Sequence, residues 1–179
     1  MKIGIIIGST RQSRIGKTVA TWVKDHVPAD STPEVSLLDL VDFPLPFLDS
    51  AILPSGLNKK YPHTIVQDWS KIIDGLEAII IVTPEYNHGY PAVLKNALDW
   101  LWSEWANKPA GIVSYSAGIV GGVRAAEQLR GVLAHLSLRT APTSVAIGNA
   151  PLVLTNQDSA SHIQSTLEKM VEEMKSLTP

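Results

Sequence analysis

The chain has 179 residues, 45% of them hydrophobic, with 15 Lys and Arg against 17 Asp and Glu and no cysteine. A single domain, 1–179, is expected, long enough to bury a full core without disulfide or metal staples. The near balance of charge leaves no basic run for nucleic acid, and the missing cysteines exclude disulfides, thiolate metal sites and a thiol nucleophile together.

The apolar run KIGIII follows Met1 directly, so residues 2–8 read as a strand rather than as the h-region of a secretory signal. No apolar segment approaches the roughly 18–20 residues of a membrane span. A cytoplasmic location is the expectation. A polar turn follows, and 16–27 then places Val19, Ala20 and Val23 at helical spacing. A second strand is expected at 34–40. Residues 41–62 hold Pro44, Pro46, Pro54 and Pro62 with little period, and a loop of that length in a compact domain is usually functional or disordered. Helix 64–74 sets Ile65, Trp69, Ile72 and Ile73 on one face, and 78–83 is a third strand. Helix 91–102 opens with Pro91 at its first position and carries Val93, Leu94, Ala97, Leu98 and Leu101. Strand 110–114, helix 122–137, strand 140–147 and helix 159–177 complete the chain. Strands without polar alternation are covered on both faces. Five of them alternating with five helices predict a doubly wound α/β fold with a parallel sheet.

In such a sheet ligands sit beyond the C-terminal strand ends, at the switch in strand order. Three loops leave strand ends with unusual chemistry. In GSTRQSRIGKT (8–18), Ser9, Thr10 and Ser13 offer hydroxyls, Arg11 and Arg14 offer guanidinium groups, and the helix starting near Gly16 offers unpaired N–H groups. That set suits a terminal phosphate, although it also reads as an ordinary polar turn. It is not a nucleoside-triphosphate P-loop, because the glycine required five residues before Gly16 is Arg11. Gly4, Gly8 and Gly16 likewise miss the G-x-G-x-x-G spacing of a dinucleotide fold. The second loop, TPEYNHGYP (83–91), puts two tyrosines and a Pro-flanked turn at a strand end; by itself it is equally a helix-entry turn. The third, SYSAG (114–118) followed by Gly121 and Gly122, lets backbone approach a flat ligand, or is simply flexible. His26, His63, His88, His135 and His162 show no metal-ligand spacing, and no G-x-S-x-G nucleophile elbow is present.

Together G-S-T-R at 8–11, P-E-Y-N at 84–87 with L-K-N-A-L-D-W at 94–100, and S-A-G-x-x-G-G-x-R-A at 116–125 resemble the NADPH-dependent FMN reductase family over residues 2 to about 150. The resemblance implies a flavodoxin-like, five-stranded parallel sheet in the order 2-1-3-4-5 with helices on both faces. It implies FMN as cofactor and NADPH or NADH as reductant, with electrons passed by a ping-pong mechanism to flavins, quinones or similar small acceptors. By position, Ser9, Arg11, Arg14, Ile15 and Gly16 would hold the phosphate. Pro84, Glu85, Tyr86 and Asn87 would line one edge of the isoalloxazine, and Ser116, Ala117, Gly118, Gly121 and Gly122 the other. Many relatives carry a serine three residues after the first-loop arginine, where this chain has Arg14, so which hydroxyl meets the phosphate stays open. FMN carries the chemistry, so no catalytic side chain is assigned; Glu85 reads as a turn carboxylate exposed to water. The alternative is a flavodoxin-type electron carrier, which the formal charge of −2 disfavours because such carriers are strongly acidic. An FMN-free scaffold is a third reading.

The helix at 91–102 is expected to run on through Glu104 and Trp105. Its indoles then diverge at 100° per residue, and at least one lies outside the monomer core. A homodimer or homotetramer is the expectation, with loop 41–62 crossing to the partner. The other reading satisfies the tryptophans with the chain's own loop.

Overall fold

Strand β1 (Lys2–Ile7) is apolar throughout, and its two-residue period divides the molecule into two cores. In the computed structural model, which describes residues 1–28, 34–155 and 157–178, Ile3, Ile5 and Ile7 enter one core and Ile6 the other. β1 pairs in parallel with β2 (Glu34–Asp39) and β3 (Ala78–Pro84), and β3 pairs with β4 (Pro109–Tyr115). Helices α1 (Gly16–His26) and α6 (Gln157–Ser176) supply Val19, Val23, Leu167 and Met170 to the first core. Helices α2 (Thr64–Asp74), α3 (Ala92–Asp99) and α4 (Val123–His135) supply Trp69, Ile73, Leu94 and Leu129 to the second. The register from Ile3 opposite Ala78 to Ile7 opposite Val82 sets the C-terminal ends of β1 and β3 side by side, where the strand order reverses. Among the described residues no helix is long and apolar enough to cross a membrane.

Among the described residues the sheet has six strands, not five. The segment expected as one strand at 140–147 forms β5 (Arg139–Thr140) and β6 (Val145–Ile147), both parallel to β4, giving the order 2-1-3-4-5 with β6 continuing along the same neighbour. Between the two ladders β4 advances from Ala110 to Val113 while the outer segment advances from Thr140 to Val145, so two residues are surplus. Pro142 has no N–H to give the ladder. Side chains serve the arch: Arg130 donates to Ala141 O (2.9 Å) and Pro142 O (3.0 Å), and Thr143 N–H donates to Glu173 (2.7 Å). A short α5 (Ala150–Val153), unforeseen in the sequence, follows β6.

Helix α3 is also shorter than expected. Pro91 stands outside it as the N-cap, with ψ at 143°, and Trp100 closes it. The reason lies in Glu104, buried to 1% exposure, which accepts Tyr61 Oη–H (2.7 Å), Ser70 Oγ–H (2.6 Å) and Trp102 N–H (3.2 Å). Taking that amide turns the chain out of the helix. Trp100 and Trp105 are thereby both fully buried, and each indole N–H finds a carbonyl, Pro46 O (2.6 Å) and Leu98 O (3.1 Å). Trp102 stays 39% exposed, edge-on to His135.

The 41–62 segment docks on its own chain. Asn96 accepts Leu48 N–H (3.1 Å) and donates to Pro46 O (2.8 Å), and Phe43 packs on Trp69 at 5.1 Å between ring centroids. A single 3-10 turn, Pro54–Gly56, is its regular structure. Phe47 and Leu53 on the same segment remain largely exposed.

Candidate functional site

The turn between β1 and α1 presents a cationic, donor-rich surface. Arg11 is exposed, and its guanidinium has no partner among the described residues. Arg14 donates through Nη2 to Asp39 Oδ2 (2.7 Å), while its Nη1 is buried without a partner. At the start of α1 the N-cap is Ile15, which has no side chain to cap the first-turn amides. Ile15, at the positive end of the helix, lines the same cleft as the two arginines. Ser9, by contrast, is fully buried, with its Oγ 3.2 Å from Tyr115 Oη.

Beyond β3, Tyr86 and Gly89 exchange both backbone hydrogen bonds (2.8 and 3.0 Å), and Asn87 and His88 between them have φ of 51° and 68°. Positive φ at both central residues is the signature of a type I′ turn. Asn87 sits at its exposed apex, away from the cleft lining. Glu85 differs from its sequence reading. Its side chain is 8% exposed, and Oε1 accepts Arg124 Nε–H (2.7 Å) and pairs with Arg124 Nη2 as well. The hydrogen bond from Arg124 outweighs burial and, aided by the Arg124 and Ala125 backbone, holds the carboxyl below the usual carboxylate range. Since α4 has no side-chain cap at Gly122, Glu85 serves its first turn from across the cleft.

This clamp has a pH signature. A carboxyl with a depressed folded pKa contributes stability that is present above its unfolded value, about 4.3, and lost as pH falls through the folded value. Arg124 is nearly half exposed, so the contribution is about 0.5–1 kcal/mol. Thermal unfolding of wild type and Glu85→Gln should therefore differ near neutral pH, and the difference should shrink as pH falls below the unfolded value and on through the folded one. A gap that persists unchanged in acid would show that the pair does not stabilise through its charge.

The loop after β4 is held by its own bonds. Ser116 Oγ donates to Gly118 O (2.8 Å) and accepts Gly121 N–H (3.0 Å). Gly121 and Gly122 take φ of 68° and 78°, and a Cβ on either would come within 3.0 Å of neighbouring backbone. Their lack of a side chain thus serves the chain's own packing. Gly118 does not have a positive φ; a Cβ there would enter open space.

These loops enclose a cleft of about 360 Å³. Arg11, Arg14 and Ile15 form one end, Pro84, Glu85 and Tyr86 one wall, and Ser116 and Ala117 the opposite wall. Ser9, Gly16, Asn87, Gly118, Gly121 and Gly122 lie outside this lining. Tyr115 and Pro151 complete it, and neither was singled out in the sequence as a site residue. Pro151 belongs to the unforeseen α5, whereas Tyr115 was legible as the strand-end residue before Ser116. Asp39, which fixes Arg14, carries no local signal, whereas Arg124, which fixes Glu85, stands in the S-A-G-x-x-G-G-x-R-A pattern at 116–125 with no role assigned to it there. Ser114 Oγ, one residue earlier on β4, is buried without a partner.

A doubly wound parallel sheet with an arginine-bearing helix start and an aromatic cleft at its switch point defines a flavodoxin-like nucleotide-binding protein. Residues 1–152 match the NADPH-dependent FMN reductase family. The chain is 42% identical over 146 residues to an NAD(P)H-dependent FMN reductase of Schizosaccharomyces pombe, covering 82% of this chain and 72% of that one. It is 33% identical over 141 residues to a quinone reductase of Escherichia coli, covering 76% and 71%. Its fold matches the solved structure of FerB, a flavoenzyme NAD(P)H:(acceptor) oxidoreductase from Paracoccus denitrificans, with a TM-score of 0.79 over 99% of both chains at 21% identity. The chain belongs to the NADPH-dependent FMN reductase family.

Proposed function

We propose that the chain is an FMN-dependent oxidoreductase that draws electrons from NADPH or NADH and passes them to a small acceptor such as a quinone or a free flavin. One observation carries this reading. The unpaired Arg11, Arg14 with its orphaned Nη1, and Ile15, the N-cap of α1 that offers no side-chain cap, meet at one end of a cleft whose walls include Pro84, Tyr86, Ser116 and Ala117. That donor set fits a phosphate monoester, and those walls fit a planar ring. When bound, FMN supplies the hydride and electron chemistry.

The chain's own residues bind and shield. Arg11, Arg14 and the start of α1 hold the phosphate, Pro84 and Tyr86 flank the ring on one side, and Ser116 and Ala117 flank it on the other. The Glu85–Arg124 pair ties the second loop to the start of α4 and so keeps the two walls at a fixed separation. Glu85 Oε1 is held by Arg124 while Oε2 is buried without a partner, and no side chain is assigned an acid–base role.

Reductant and acceptor then take turns at the one bound ring. Initial rates of the FMN-loaded protein with NADPH and a quinone should give parallel double-reciprocal lines. Intersecting lines would overturn the shared site. Failure of both NADPH and NADH to bleach the flavin under nitrogen would return the protein to the electron-carrier reading.

The proposal includes a cytoplasmic setting and a homodimer or homotetramer. The oligomer is supported by Phe47, Leu53 and Trp102, exposed by 79%, 74% and 39%, with Leu53 and Trp102 lining one groove. Light scattering at micromolar concentration should give a multiple of 19.4 kDa. An active monomer would refute the assembly.

A further inference from the structure

We infer that the hydroxyl presented to the ligand's phosphate is that of Tyr115, with Ser9 acting through it; this rests on the FMN reading of the cleft. Ser9 is fully buried and does not line the cleft. Tyr115, at the end of β4, lines it together with Arg11, Arg14 and Ile15. The two oxygens are 3.2 Å apart. A Cβ added to Gly16 would lie 2.6 Å from Tyr115 Oη and 2.8 Å from Ser9 Oγ, so both hydroxyls rest against the first residue of α1, where the uncapped amides begin. Thr10 and Ser13, the other candidates, are exposed and lie outside the lining, and Ser13 has φ of 55° in the turn.

The chemistry favours this order. A phenol is a stronger hydrogen-bond donor than an aliphatic alcohol because its proton is far more acidic. Ser9 can donate to the Tyr115 oxygen, leaving the phenol proton to point outward to a phosphate oxygen. The anion polarises the pair in that direction, and each bond strengthens the other. The arrangement recognises a phosphate monoester and gains nothing comparable from a neutral hydroxyl terminus. Tyr115 therefore sets preference for FMN over riboflavin, and Ser9 is a positioning residue.

Flavin-fluorescence titrations of wild type, Tyr115→Phe, Ser9→Ala and the double variant test this, each with FMN and with riboflavin. Tyr115→Phe should lose about tenfold in FMN affinity while its riboflavin affinity, which also reports an intact fold, is unchanged. Ser9→Ala should lose about threefold, and nothing further once Tyr115 is already Phe, because the two act as one unit. A Tyr115→Phe protein that keeps the wild-type FMN-to-riboflavin ratio, or additive losses in the double variant, would overturn the inference. Should Tyr115→Phe not fold, Ser9→Ala decides alone: a selective loss of tenfold or more would put Ser9 itself on the phosphate and overturn the assignment. Equal wild-type affinities for the two flavins would instead remove the phosphate reading of the cleft, and this inference with it.

Discussion

Replacing Arg11 by alanine is expected to weaken FMN binding about ten- to a hundredfold, from the roughly 1.5–3 kcal/mol of a lost charge-assisted hydrogen bond. Arg11 is chosen over Arg14 because its charge is uncommitted. Arg14 already spends one nitrogen on Asp39, and both of those side chains are about 15% exposed. Removing Arg14 would leave that carboxylate without its partner, mixing a folding cost with a binding cost. Removing Arg11 strands nothing among the described residues, so the unfolding midpoint should hold. Isothermal titration with FMN and riboflavin checks the assignment: the loss should fall on FMN alone. An equal loss for both flavins would move Arg11 off the phosphate.

The largest effect on stability is expected at Glu104. Its carboxylate gathers Tyr61, Ser70 and the Trp102 amide into one buried centre, joining the 57–61 segment, α2 and the turn after α3. Burial, with the bond to Glu104 second, pushes the Tyr61 phenol up, so it remains a donor at any ordinary pH. Glu104→Ala leaves these buried donors unsatisfied, and a loss of about 3–5 kcal/mol follows, of the size seen when one partner of a buried polar network is removed. Glu104→Gln, which keeps an acceptor oxygen, should lose less. Urea unfolding should show the midpoint falling at an unchanged slope. A loss under about 1 kcal/mol would mean that water reaches the freed donors.

The two expected effects differ in how far they could be seen in advance. Arg11 follows an apolar strand run in a Gly-Ser-Thr-Arg turn, and chemistry placed by such a short pattern needs no knowledge of what is distant in the chain. Glu104 was read as one more residue on a continuing helix. Its partners lie 34 and 43 residues away, and their convergence on a single carboxylate is what ends α3.

The same division runs through the molecule. β-Branched runs without polar alternation marked the parallel strands and, with the helical spacing between them, the doubly wound class and its switch point. These are local periodicities, carried by each segment alone. The split of the outer strand into β5 and β6 depended on Arg130 and Glu173 reaching an arch at Pro142 from α4 and α6. The sites divide likewise: the three loops could be named from their composition, but the burial of Ser9 under Tyr115 and the pairing of Glu85 with Arg124 could not. The first joins two strand ends 106 positions apart, and the second joins the end of β3 to the first turn of α4, 39 positions on. Sequence pattern alone determined which segments are strands, helices and polar loops, because periodicity and turn chemistry act over a few residues. The order in which the strands lie side by side decided which of those polar groups meet and which are left free for a ligand, because hydrogen bonds and ion pairs form only where the packed sheet brings their atoms within about 3 Å.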